Sequence, residues 1–208
     1  LSISLSQHAV FTSAGPISGT SVLLPQSQSS GGLNVVSVGW IGQDIAPVVF
    51  DVNNGPYVTA LTFVDFDSVL NASQALFYVP NIKSGTNSVT ISFLSPIINL
   101  DVKIAEFSGI VAKNPLITGQ HQYGKGTAIS SGGQYIDDIG NPKGLVYGAC
   151  YCGSPVLATG VGLTLIDTTP LGNAHAYQVA TNRGPFAATF KQSLFTEYVC
   201  QMAIFKGA

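Results

Sequence analysis

Leu33-Asn34-Val35-Val36-Ser37-Val38-Gly39-Trp40-Ile41 decides the fold class. Valine, isoleucine and tryptophan crowd nine residues that follow the polar loop 26–32. No 3.6-residue period runs through them, so the stretch reads as a strand. Toward the N-terminus, residues 3–12 alternate through Ile3 and Leu5 and stop at Ser13-Ala14-Gly15-Pro16, and residues 21–24 stop at Pro25. Toward the C-terminus, residues 48–52 run into Asn53-Asn54-Gly55, a sequence suited to positive φ in a hairpin turn. Residues 57–64, 74–79, 87–94 and 101–108 continue the series as separate strands. In the second half, 116–122, 145–152, 156–165, 175–181, 186–191 and 196–205 read as strands, and the Gly-rich stretch 124–140 reads mostly as turn. The best helical candidate, 68–75, is short. Many short strands punctuated by Gly and Pro predict an all-β, antiparallel, jelly-roll-like β-sandwich. No internal repeat, linker or low-complexity tract is visible. One domain over residues 1–208 is expected, with 1–14 as an N-terminal donor or edge strand.

Charged residues are 9% of the 208, against about 25% in ordinary soluble domains. With Lys+Arg 8 against Asp+Glu 10 there is no basic patch to neutralise several phosphates, which excludes nucleic acid as partner. Mean hydropathy of +0.36 excludes intrinsic disorder. The first charged residue is Asp44, and an end so free of charge is expected to be covered by something. Residue 1 is Leu and the one methionine is Met202, so a mature, secreted form is expected, its signal peptide cleaved. Residues 145–166 carry no charge and are long enough to span a bilayer. Gly148, Gly153, Pro155, Gly160 and Gly162 interrupt them, so strands broken by a turn are expected and no transmembrane segment.

Cys150, Cys152 and Cys200 are too few for a disulfide scaffold. Cys150 and Cys152 share a strand face and cannot readily bridge each other. Either can pair with Cys200 if the strand from Val146 lies beside the strand from Thr196. Three buried thiols acting as small hydrophobes is the equal alternative.

Several segments together resemble a family of uncharacterised, secreted bacterial β-sandwich domains. The stretch from Gly31 to Trp40 is similar to its G-x-L-N-V-V-x-V-G-W segment, and Phe77 to Ile82 to its Y-Y-A-K-N-I segment. Gly85 to Phe93 resembles G-x-N-T-V-T-V-x-F, Ala105 to Gly109 resembles L-E-Y-S-G, and Tyr198 to Phe205 resembles the closing W-V-M-Q-M-x-x-F. The resemblance spans nearly the whole chain and implies an extracellular β-sandwich, but no activity or catalytic residue. Tyr198 and Cys200 stand where Trp and Met are usual, so the cysteines look particular to this chain.

Chemistry-bearing patterns are sparse. His8, His121 and His175 are far apart in sequence, with His8 reading as a structural histidine on a strand, and no G-x-S-x-G elbow occurs. Asp65 and Asp67 lie on one face of an extended segment, and Glu106 reads as a hydrogen-bonded core carboxylate. Asp137, Asp138 and Asn141 in a Gly-bounded loop offer oxygen ligands of the kind calcium takes, as do Asp51, Asn53 and Asn54, though neither set follows an EF-hand. No other cofactor is expected. Among aromatics suited to stacking on sugar rings, Trp40 reads as core, while Tyr57, Tyr123 and Tyr135 are the candidates for exposure.

Low charge favours association, because charged side chains are what normally oppose it. The leading expectation is a non-enzymatic, extracellular structural protein, a homopolymer forming a filament or surface layer. Its assembly strand, carrying Ile3, Leu5, Val10 and Phe11, would complete a neighbour's sheet. The alternative is a carbohydrate-binding module for surface polysaccharide. A hydrolase, or a virion surface protein of jelly-roll type, follows behind.

Overall fold

The computed structural model describes residues 2–42, 45–64, 71–85, 87–137 and 143–208. Among them there is no helix, and the strands pair antiparallel throughout, as expected of an all-β sandwich. Five strands form a first inner sheet in the order β6 (Val58–Phe63), β7 (Ala72–Pro80), β3 (Leu33–Ile41), β8 (Ser88–Ser108) and β1 (Ser4–Ser13). Five more form a second in the order β13 (Thr164–Thr168), β14 (Ala174–Ala180), β11 (Gly144–Cys152), β16 (Thr189–Lys206) and β9 (Leu116–Ser130).

These two orders are the same topology, since the strands stand third, fourth, second, fifth and first among their own five in chain order. The register repeats as well. Leu33 pairs with Phe107 as Leu145 pairs with Phe205, and Ser37 pairs with Lys103 as Ala149 pairs with Gln201. The chain is therefore an internal two-fold repeat, contrary to the expectation from sequence. Val102-Lys-Ile-Ala-Glu-Phe-Ser-Gly109 and Cys200-Gln-Met-Ala-Ile-Phe-Lys-Gly207 are the corresponding closing segments, and they share only Ala, Phe and Gly. What the copies conserve is pairing geometry and alternation, which so few identities do not reveal.

In each copy the last strand is long and bent. The first part of β8 leaves the inner sheet and pairs with β2 (Ile17–Leu23) and β4 (Val48–Asp51), the latter joined to β5 (Gly55–Pro56). The first part of β16 likewise pairs with β12 (Val156–Thr159) and the end of β9. Register shifts mark both bends, and Pro96 falls within the first, where a missing N–H is tolerated. A short pair, β10 (Gln134–Ile136) with β15 (Gly184–Phe186), closes the second copy.

Alternation along each inner strand feeds two cores. Val36, Val38, Trp40, Val102 and Ile104 face outward onto the folded-over part of β8. Val146, Cys150, Cys200, Met202 and Ile204 do the same in the second copy. Opposite faces meet between the inner sheets, where Leu33, Val35, Phe107, Leu145, Tyr147 and Phe205 share one cluster. Neither copy could leave that face bare in water.

Several local expectations change. Residues 87–94 and 101–108 belong to one strand, and 156–165 divides at a turn where Gly162 holds φ +85°. Ala72 to Ala75, within the helical candidate, are buried and paired with β3, so tertiary pairing overrides local propensity; residues 68–70 lie outside the described residues. Residues 124–130 are strand rather than turn, with Gly124 lying against the Tyr198 ring where a Cβ would crowd the hydroxyl. The uncharged stretch 145–166 is strand and turn, and no helix among the described residues is long and apolar enough to cross a membrane.

Candidate functional site

Alternation along β8 sends Leu100, Val102 and Ile104 into the outer core, so Asp101 and Lys103 point between the inner sheets, both fully buried. Removing charges from water is costly unless they are paired and hydrogen-bonded, and these are. Lys103 Nζ donates to Asp101 Oδ1. Asp101 Oδ2 accepts from Asn173 Nδ2 at 2.7 Å and from Thr169 Oγ1 at 2.5 Å. Asn173 and Thr169 sit on the β13–β14 turn, which closes through Gly172 N to Thr169 O at 2.8 Å, with Gly172 at φ +86°. Asn173 Oδ1 in turn accepts from the backbone N–H of Cys152 at 2.8 Å. The first copy thus supplies a buried amine and carboxylate, and the second an amide that is 1% exposed at the wall of a cleft shared with Cys152.

The polar seam continues across both sheets. Gln74 Nε2 donates to Ser37 Oγ at 3.0 Å, and Gln201 Nε2 donates to the Gln74 carbonyl at 3.0 Å. His175 Nδ1 lies 3.1 Å from the Tyr147 hydroxyl. Burial pushes His175 well below the ordinary imidazole range, with the Lys103 charge and His8 adding to the shift. At the rim, where the edge strands β1 and β13 meet, His8 Nδ1 stands 3.5 Å from Asp167 Oδ2 and its ring 6.3 Å from that of His175. Sequence reading separated these histidines and passed over Asp101, Lys103 and Asn173. The available signal was two opposite charges two residues apart, alternating with the apolar Leu100, Val102 and Ile104.

A second polar cluster caps the outer core of the first copy. Glu106, fully buried, accepts from Gln7 Nε2 at 2.6 Å and from the Ser29 N–H at 2.9 Å, which ties β1 to β8; it is the core carboxylate expected. Asp51 accepts from the N–H groups of Asn53 and Asn54, from Asn54 Nδ2 and from Tyr57 OH, all at 2.7–2.8 Å in their closest contacts. Burial pushes its carboxyl up, but these hydrogen bonds outweigh burial and hold it below the ordinary carboxylate range. Donors fill Asp51, so the Asp51, Asn53 and Asn54 set is a turn and not a calcium site. Tyr57 is buried in it rather than exposed.

Strands β11 and β16 do lie side by side, and Cys150 stands directly opposite Cys200. All three cysteines are nevertheless free thiols. Cys150 Sγ lies 3.7 Å from the Ala174 carbonyl and Cys200 Sγ 3.5 Å from the Ala188 carbonyl. Burial pushes both thiols well above the ordinary cysteine value, so neither forms thiolate near neutrality. Cys152 is half-buried. A colourless-to-coloured disulfide reagent is expected to titrate Cys152 alone in the native chain and all three thiols in denaturant without reductant. A single thiol in denaturant, the same Cys152 that reacts in the native chain, would instead mean a Cys150–Cys200 bond.

The remaining candidates are dispersed. Trp40 is core, edge-on to Phe93. Tyr123, on β9, stacks on Phe63 at 5.7 Å, so one ring face is already covered. Tyr135 is 60% exposed on β10 and lines a cavity of about 330 Å³ with Asn114, Asp137 and Lys206. Asp138, Asn141, Asp65 and Asp67 lie outside the described residues. Among the described residues no group of three or more His, Cys, Asp or Glu converges as a metal site. Ile3 is buried in the central core, Leu5 packs at its margin, Phe11 packs on the outer core of the first copy, and Val10 is half-buried. No family model, curated protein or solved structure matches the chain.

Proposed function

We propose that the protein is a non-enzymatic structural subunit of an extracellular filament or surface layer, whose copies join by exchange of the N-terminal strand. The surface is the observation that carries this reading. Charged residues are only 9% of the chain, and among the described residues Lys103, Asp51, Asp101 and Glu106 are buried, so few charges are left to the surface. Large apolar side chains stand exposed at both strand bends, Leu94 at 85% in the first copy and Leu194 and Phe195 at 62% and 66% in the second. A sparsely charged surface with such side chains favours association.

The strand β1 has the attributes exchange needs. It is uncharged, it occupies an edge, and Ser13-Ala14-Gly15-Pro16 tethers it to β2. Its partner here is β8 of its own chain, with Ser4 opposite Ser108 and Ser13 opposite Leu100. A neighbour's β1 makes the same hydrogen bonds in the same register, so exchange costs little beyond the tether's rearrangement. The resemblance to secreted bacterial sandwich domains supports the extracellular setting.

Ser4 Oγ and Ser108 Oγ are 2.8 Å apart, which makes the pair a reporter. In assembled Ser4→Cys/Ser108→Cys material, oxidation is expected to link chains into a ladder on a non-reducing gel. Links confined within single chains would contradict strand exchange.

A second reading, a carbohydrate-binding module, is favoured by the Tyr135 cavity. An exposed ring beside Asn114, Asp137 and Lys206 joins a stacking surface to polar groups suited to sugar hydroxyls.

A further inference from the structure

We propose that Lys103 and Asn173 become joined by an amide bond, formed by the chain itself and promoted by Asp101, that covalently staples the first copy of the fold to the second. Such a bond needs an amine nucleophile, an amide electrophile, a group that moves protons between them, a donor to the carbonyl oxygen, and exclusion of water. The seam holds each of these. Asp101 bridges the two reactants, taking a hydrogen bond from Lys103 Nζ on one oxygen and from Asn173 Nδ2, at 2.7 Å, on the other. Asn173 Oδ1 accepts the Cys152 N–H at 2.8 Å, with Cys152 Sγ at 3.4 Å, so the amide carbonyl is already polarised where negative charge develops. Thr169 Oγ1, at 2.5 Å, fixes the Asp101 carboxylate, and the turn it caps holds Asn173. Lys103 and Asp101 are fully buried and Asn173 is 1% exposed, so hydrolysis of the amide does not compete.

The step balances without any co-reactant. Asp101 takes one proton from the Lys103 ammonium. The freed Nζ lone pair attacks Asn173 Cγ, and the Cys152 N–H stabilises the oxyanion. A second Nζ proton passes by way of the carboxyl group to Nδ2, the Cγ–Nδ2 bond breaks, and Nδ2 leaves as ammonia. The third Nζ proton remains on the new secondary amide, and nothing is oxidised or reduced. Lys103 lies on β8 and Asn173 on the turn before β14, so the bond ties together the two halves that share the central core.

The equivalent positions make the pairing specific to one place. Gln201 occupies the position of Lys103 in the second copy, and an amide there is no nucleophile.

Intact-mass spectrometry of the full chain, followed by proteolysis and fragmentation, tests the proposal. The expected result is a mass lower by one ammonia and a branched peptide joining the segment around Lys103 to the segment around Asn173. Lys103→Arg and Asp101→Asn, which keep size and polarity, are expected to restore the unmodified mass. Asn173→Asp is expected to lose one water in place of ammonia. A wild-type chain of unmodified mass with Lys103 recovered in a linear peptide would overturn the proposal, whatever the variants do. So would loss of ammonia with no branch, the mark of a cyclised asparagine.

Discussion

Phe205→Ala is expected to lower the free energy of unfolding by about 3–5 kcal/mol, the usual cost of emptying a buried aromatic site. Phe205 has no exposed surface and sits where the two copies meet. Its ring lies edge-on to Tyr78 of the first copy at 5.3 Å, while Leu145 stands opposite it in the second. Strands fill the space on both sides, so the cavity cannot collapse without shifting a sheet. A domain of this kind is stable by about 5–15 kcal/mol in all, so the loss is a large fraction of the total. Phe107, its equivalent, is expected to behave alike. Phe195, two-thirds exposed, is the control, and its truncation should change stability by less than about 0.5 kcal/mol. Urea unfolding of the three variants measures this; a Phe205→Ala loss below about 1 kcal/mol would mean that the inner sheets do not pack as described.

Acidification is expected to destabilise the chain through His175. Its imidazole is held neutral in the fold by burial, with smaller contributions from Lys103 and His8, and the groups facing it are Tyr147, Lys103 beside Asp101, and His8 beside Asp167. In the unfolded chain the same ring takes up a proton as pH falls below 6.5. Because the unfolded state then binds more protons, stability falls with falling pH, by up to about 1.4 kcal/mol per pH unit until the folded group also titrates. Burial alone sets the sign, so it holds whether Lys103 is an amine or an amide. Below pH 6.5, His175→Gln should flatten the pH dependence of stability, read from unfolding curves at each pH. Parallel curves for the two chains would place a charged imidazole in the seam. Asp51 adds a further loss of the same sign at lower pH, since its carboxyl is held low in the fold.

Periodicity two and the Gly and Pro breaks made the fold class legible, because a strand's alternation is written locally. The stretch around Val35 and Val38 could be assigned from its own residues. Three things were not local. Strand identity across the bends was hidden, since Pro96 looks like a terminator when its strand in fact continues through a shift of register. The repeat was hidden because Leu33 with Phe107 and Leu145 with Phe205 express it as pairings more than 50 residues apart. The seam was hidden for the same reason, since Asn173 gains its meaning from Asp101, 72 residues earlier. Tyr57 was misplaced because a tyrosine beside Asn-Gly resembles a loop residue until its hydroxyl finds Asp51.

Size-exclusion light scattering of the full chain, with negative-stain electron microscopy of the same fractions, tests the structural reading most directly. Regular filaments or sheets that outlast dilution are the predicted result. A stable monomer of 21.6 kDa at every concentration would contradict it, and the Tyr135 cavity would become the place to look for function.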